Sequence, residues 1–235
     1  MMIHVKICGI KTLPDALAAI EAGADYLGFN FYPKSVRFIE TNACAKITSV
    51  LKREYPHISL VGVFVNAPVE QVKNILDTCS LDLAQLHGDE TPEMVSAFEG
   101  RAYKAIRLSA GPPGQALKSV YPFTQSAPAS ASSPALLVDA SVEGAYGGTG
   151  VTADWSAAAI LASRHPLLLA GGLNPDNVAA AVRQVRPWGV DAASGVEAGP
   201  GSKDAGRMKA FVQAVRSVTE KGSGRDGLPI PMEKP

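Results

Sequence analysis

Charge of one sign is missing from this sequence. Lys+Arg and Asp+Glu both number 22 in 235 residues, so the formal net charge is zero and the isoelectric point lies near 6.9. A nucleic-acid partner is held by an excess of positive charge, so the balance argues against one. Long apolar runs are missing as well. No segment reaches the roughly 18 residues that a membrane span needs, and the start, MMIHVKICGIKTLPD, has no apolar stretch with a cleavage site. A cytoplasmic protein with no membrane partner is therefore expected. Cysteine is scarce: Cys8, Cys44 and Cys79 are odd in number and form no CxxC pair, which excludes a disulfide framework and suggests no metal site. Cys44 and Cys79 fall in or at the end of helical stretches, where a small buried hydrophobe is the default.

What is present is a regular alternation. With 46% hydrophobic and 19% charged residues the chain can bury one large core. Short β-rich runs recur at 4–8, 25–31, 60–65, 81–86, 103–108, 135–140, 166–172 and 189–194, with helical patterns between them. Strands alternating with helices imply parallel βαβ units, and eight of them in this length predict an α/β fold, a single-domain (β/α)8 TIM barrel over residues 1–221. Thr12, Thr91 and Asn174 each precede a proline tolerated in a first helical turn and so mark helix starts. Met208, Phe211, Val212, Val215 and Val218 form a helical stripe to pack outside the strand ring. The Ser/Ala/Pro-rich stretch 124–134 and the Gly/Pro-rich tail 222–235 break the pattern and read as flexible.

A parallel barrel builds its active site at the carboxyl ends of its strands. That rule selects Cys8 with Gly9, Asn30, Asn66, Gln85 with His87, Arg107, Asp139, Gly171 with Gly172, and Ser194 with Gly195. Strand alternation turns His4, Lys6 and Cys8 inward, and the Lys6 charge would favour a Cys8 thiolate able to act as base or nucleophile. A merely buried thiol is the competing reading. Asp139 ends its run facing inward, where a carboxyl in a drier site can hold a proton to donate; an Asp that caps the next turn is the alternative. GGTG (147–150), GGLNP (171–175) and SGVE (194–197) follow the last three strands and suit a phosphate dianion bound by backbone N–H groups, although glycine also serves ordinary turns. Arg37, in the loop 32–39, carries a fork suited to a carboxylate, or is solvated.

In order along the chain, KICGIK (6–11), GADYLGFNFYPKSVRFI (23–39), VGVFVN (61–66), LDLAQLHGDE (81–90), LLVDA (136–140), GGTG with DW (147–150, 154–155), LAGGLNPDNV (169–178) and GVDAASGVE with PGSKD (189–197, 200–204) resemble the phosphoribosylanthranilate isomerase family of tryptophan biosynthesis. The resemblance implies an Amadori rearrangement of N-(5-phosphoribosyl)anthranilate into 1-(2-carboxyphenylamino)-1-deoxyribulose 5-phosphate, without metal or organic cofactor. It implies Cys8 as general base and Asp139 as general acid, and Arg37 as the group that meets the anthranilate carboxylate. Gly171, Gly172, Ser194 and Gly195 would hold the phosphate, while Gln85 and His87 lie in a matching substrate-binding segment. The sequence departs from the family at Val36, Ala153 and Ala193, where proline, an aromatic and serine are frequent. None of the three is the implied acid or base. The partner implied is one small phosphorylated metabolite, and the chain would act as monomer or homodimer.

Rival readings are other sugar-phosphate barrels, since fold alone does not fix function. Indoleglycerol-phosphate synthase would present Lys and Glu at strand ends, and the isomerase of histidine biosynthesis an Asp on strand one where this chain has Cys8. A non-catalytic phosphometabolite-binding protein is the third.

Overall fold

Parallel neighbours cannot be joined by a tight turn, so each strand must be followed by a crossover that returns along the sheet's outer face. In the computed structural model, which describes residues 2–107, 120–125, 127–128, 133–139 and 155–222, eight strands pair in parallel around a closed barrel. They are β1 (His4–Cys8), β2 (Tyr26–Asn30), β3 (Ser59–Phe64), β4 (Leu83–Leu86), β5 (Ala102–Arg107), β6 (Leu136–Asp139), β7 (Leu167–Ala170) and β8 (Gly189–Ala192). The helices outside the ring include α1 (Leu13–Ala22), α2 (Thr41–Glu54), α3 (Val69–Thr78), α4 (Pro92–Ser96), α5 (Ser156–Ala162), α6 (Val178–Val185) and α7 (Ala205–Gly222). A small hairpin of β9 (Glu197–Gly199) and β10 (Ser202–Lys203) follows β8. None of the described helices is long and apolar enough to cross a membrane.

Alternation along each strand divides the interior in two. Val5, Ile7, Leu27, Phe29, Leu60, Val138, Leu169 and Val190 face outward and are buried against the helices. Tyr26, Val61, Leu83, Tyr103, Leu137, Leu168 and Trp188 fill the inside of the ring. At its amino-terminal end His4 lies against Trp188, ring centroids 4.2 Å apart, and Tyr26 meets Trp188 edge-on at 5.7 Å. These rings close the floor. Gly189 makes room for them: a Cβ there would sit 2.9 Å from the His4 carbonyl oxygen.

The Thr12 hydroxyl accepts from the Asp15 N–H at 3.2 Å, and that of Thr91 from Met94 at 3.3 Å, so both cap helices as their sequence predicts. Asn174 acts likewise: its Oδ1 accepts from the N–H groups of Asp176 and Asn177 and its carbonyl oxygen from the Val178 N–H, capping one turn from which α6 continues. Met208, Phe211, Val212 and Val215 of α7 are buried in the outer core with Val218 packed against it. Part of the 124–134 stretch, and the tail beyond Gly222, lie outside the described residues.

Two aspartates fasten the helix-to-strand side. Asp25, just before β2, accepts from the Val5 N–H of β1 at 2.8 Å and pairs with Arg216 of α7 at 3.1 Å. Asp82, just before β4, does the same for Leu60 of β3 at 2.7 Å and pairs with Lys52 of α2. Each thus satisfies a strand-end donor that the ladder leaves over. Asp25→Ala strands the buried Val5 N–H and should cost about 1–3 kcal/mol, read as a lower urea midpoint at unchanged slope; an unchanged midpoint would show that water replaces the carboxylate freely.

Candidate active site

Cys8, the last residue of β1, turns inward at the carboxyl end of the barrel and is 8% exposed. The sequence on the neighbouring strand makes that position available. Gly28 of β2 pairs in register with Cys8, and a Cβ on it would lie 2.8 Å from Cys8 Sγ and 3.2 Å from Lys6 Nζ. Lys6, two residues earlier, lies beneath the thiol and is wholly buried. Its ammonium donates to Gln85 Oε1 and Asp191 Oδ1, both at 2.9 Å, and Tyr103 donates to the same Gln85 oxygen at 3.1 Å. Burial opposes the Lys6 charge, but Asp191, Cys8 and Tyr103 together outweigh it and raise its pKa.

Lys6 favours the Cys8 thiolate as expected, but it does not set the net shift. Burial pushes the thiol up, Asp191 adds to that, and Lys6 and Lys203 offset only part of it. The resting group is a thiol with two ammonium neighbours.

Asp139 ends β6, half-buried, in register with Arg107 of β5 and Ala170 of β7. Strands β7 and β8 separate β6 from β1 on that side of the ring, so its carboxyl stands across the mouth from Cys8. His87, just past β4, feels the Asp139 charge. Burial lowers its pKa, and Asp139 and Asp191 oppose the shift. Gln85 is buried, and because its Oε1 already accepts two donors, its Nε2 must donate to His87 Nδ1, 3.0 Å away. This leaves His87 neutral with its proton on Nε2, a donor, while Gln85 forms the floor beneath it.

Arg37 reaches the mouth from the loop after β2. Its stem crosses Gly9, where a Cβ would sit 2.5 Å from Arg37 Cδ and where φ is +84°, a conformation that suits glycine. Its Nε and Nη2 donate to the two carboxylate oxygens of Glu197 at 2.7 and 2.8 Å. Glu197 also accepts from Lys203 Nζ at 2.8 Å and from the Gly201 N–H at 3.1 Å. Burial would raise the Glu197 pKa, and hydrogen bonds from Arg37 and Lys203 reverse the sign and lower it. Sequence reading singled out neither Glu197 nor Lys203. Their signal lay in the SGVE and PGSKD motifs, which carry them but do not disclose that they meet.

Gly171 and Gly172 follow β7 with φ of +104° and +67°, and Ser194 and Gly195 open a 3-10 turn after β8. The two loops touch: a Cβ on Gly195 would lie 2.0 Å from the Leu173 carbonyl oxygen. Nothing lies within 4 Å of a Cβ built on Gly172, so that loop borders open space. The GGTG segment, 147–150, lies outside the described residues. Asn30 and Asn66 are occupied otherwise. Asn30 Oδ1 accepts from the Tyr32 N–H at 2.9 Å, and Asn66 Oδ1 accepts from the Asp89 N–H. Arg107 is exposed at the rim. Behind His87, buried Glu90 takes the N–H groups of Asn66 and Gly88, each at 2.8 Å, and pairs with Lys104 at 3.2 Å, bracing the loops after β3 and β4.

Fold and mouth together define a (β/α)8-barrel enzyme, its polar groups gathered where such barrels carry their chemistry. The family model for N-(5'phosphoribosyl)anthranilate (PRA) isomerase matches residues 5–214. The chain belongs to that family and is an isomerase of tryptophan biosynthesis. It is 44% identical over 224 residues to the N-(5'-phosphoribosyl)anthranilate isomerase of Magnetococcus marinus, covering 95% of this chain and 100% of that one. Among solved structures it resembles generated monomers of the dimeric phosphoribosylanthranilate isomerase from Thermotoga maritima, at 36% identity and a TM-score of 0.76, covering 92% of this chain and 99% of that one. It also resembles a phosphoribosyl anthranilate isomerase in complex with reduced 1-(o-carboxyphenylamino)-1-deoxyribulose 5-phosphate, at 36% identity and a TM-score of 0.77, covering 92% and 100%.

Lys6→Met leaves Asp191 buried without its counter-charge and should destabilise the fold by about 3–5 kcal/mol, whereas Lys6→Met with Asp191→Leu should recover most of that loss. Chemical denaturation of the three proteins measures both. A double variant no more stable than the single would mean that the pair holds the barrel by something other than mutual neutralisation.

Proposed function

We propose that the chain converts N-(5'-phosphoribosyl)anthranilate into 1-(2-carboxyphenylamino)-1-deoxyribulose 5-phosphate in the cytoplasm, with Asp139 as general acid and Cys8 as general base. One observation carries the reading. A thiol on β1 and a carboxyl on β6 end on opposite sides of one mouth, whose lip carries an anchored guanidinium at Arg37.

The phosphate is held by backbone N–H groups of Gly171, Gly172, Ser194 and Gly195, and the anthranilate carboxylate by the outer edge of Arg37. His87, kept as a neutral donor by Gln85, faces the polar atoms of the sugar. Between these anchors the reaction moves protons only. Asp139 gives its proton to the furanose ring oxygen, the C1–O bond breaks, and the nitrogen lone pair forms an iminium ion. The cation then lies beside Cys8, and a nearby cation favours a thiolate. Lys6 and Lys203 act in the same direction. The thiolate takes the C2 proton, and the electrons of that bond neutralise the iminium as an enamine. Protonation at C1 and loss of the C2 hydroxyl proton give the ketone.

A thiol pushed up by burial is the stronger base once it is ionised, at the cost of a smaller ionised fraction near neutrality. The rate should therefore fall as pH drops, with the ascending limb of kcat/KM above the ordinary thiol range. Loss of substrate fluorescence, with the labile substrate made in situ, tests the assignment. Cys8→Ala and Asp139→Asn should each reduce kcat by roughly a hundredfold or more while retaining the native circular dichroism. An inactive wild type would overturn the isomerase reading and favour metabolite binding alone, and active variants would remove the two residues from their roles.

A further inference from the structure

Arg37 is already gripped by a carboxylate. Glu197 engages Nε and Nη2 through both oxygens, at 2.7 and 2.8 Å, and a one-to-one pair of this kind is neutral. It would offer little net attraction to a second anion. The third member of the cluster changes the sum. Lys203 Nζ lies 2.8 Å from Glu197 Oε1 and 2.9 Å from the Ala193 carbonyl oxygen, with its side chain fully buried. Within this hydrogen-bonded cluster two cations and one anion leave one positive charge, and because Lys203 is enclosed, the charge is expressed at Arg37, which is 23% exposed; the Lys11 ammonium, on the Val36 carbonyl oxygen at 3.2 Å, stands outside the cluster and is unchanged in every variant below.

We propose that Lys203 and Glu197 are positioning residues forming a buried charge-balancing pair that fixes Arg37 and leaves its guanidinium one net positive charge for a substrate carboxylate. This rests on the reading that Arg37 meets the anthranilate carboxylate. The donor count allows it: with Nε and one Nη2 hydrogen committed to Glu197, the Nη1 and Nη2 edge keeps a second two-donor face.

The backbone is shaped to the same end. Glu197 and Lys203 are register partners across the β9–β10 hairpin. That hairpin docks on the loop carrying Arg37 through Gly201, whose φ is +75° and where a Cβ would lie 2.6 Å from the Val36 carbonyl oxygen. Arg37 is thus held from below by Gly9, just after β1, and from the side by the hairpin. A carboxylate arriving there meets a fork whose orientation is set before it binds.

Two probes separate charge from packing: reduced 1-(o-carboxyphenylamino)-1-deoxyribulose 5-phosphate, and the same molecule lacking the ring carboxylate. Calorimetric titration compares wild type, Lys203→Gln, Glu197→Gln with Lys203→Gln, and Arg37→Met. Lys203→Gln keeps a donor toward Ala193 and Glu197 but makes the cluster neutral. It should weaken the carboxylated probe by about tenfold or more and leave the other within about threefold. The double variant restores the single positive charge and should recover the preference. If Arg37→Met loses that preference while Lys203→Gln keeps it, the proposal is overturned and the Arg37 reading stands. Should Arg37→Met also keep it, both fall. Where Lys203→Gln does not fold, Lys203→Met, neutral with a similar stem, is read in its place: a lost carboxylate preference supports the proposal and a retained one overturns it.

Discussion

The barrel closes on a buried ammonium. Lys6 and Asp191 are register partners where β1 meets β8, the one seam that joins residues from opposite ends of the chain. Their ion pair at 2.9 Å lies inside the ring. Removing two charges from water costs several kcal/mol each, and the attraction between them offsets this only where geometry is good and the remaining donors are used. Here the second contact of Lys6, to Gln85, extends the pair to Tyr103 on β5 and His87 past β4. One cation therefore ties four strands, β1, β4, β5 and β8, at a single level beneath the mouth. A hydrophobic layer would fill that level more cheaply, but it would leave Cys8 without a charge below it and His87 without a fixed tautomer.

Much of this was legible from the sequence, for physical reasons. The eight strands were readable because their apolar runs are short and separated by helices with a different period, and because each ends where a polar residue or glycine must enter the mouth. Strict alternation placed Cys8 and Asp139 correctly, since a parity argument survives an error of a residue or two at a strand end. Thr12 and Thr91 were readable as caps because a hydroxyl followed by proline has few other uses.

Long-range polar partners were not legible. Nothing in local spacing pairs Lys6 with Asp191, 185 residues apart, or Arg37 with Glu197, 160 apart. The net shift of the Cys8 pKa was not legible for the same reason. A neighbour in sequence, Lys6, was visible and does favour the thiolate, but the enclosure that outweighs it and the Asp191 charge that opposes it exist only in the closed ring.

The two ion clusters of the mouth differ in a way that follows from their places. Lys6 with Asp191 is balanced, one charge against one, and sits below the chemistry, where any residual charge would be uncompensated by ligand or water. Lys203, Glu197 and Arg37 are unbalanced by one, and their exposed member stands at the lip, where an anion can complete them. A barrel interior cannot hold a free charge without shifting its pKa until it neutralises, so the excess must be carried to the surface by the one side chain that stays ionised under all conditions, arginine. On this argument the β9–β10 hairpin is more than a connection to α7. It carries Glu197 and Lys203, two of the three charges, into the wall beside β1, and leaves Gly9 to set how far the third can lean toward Cys8.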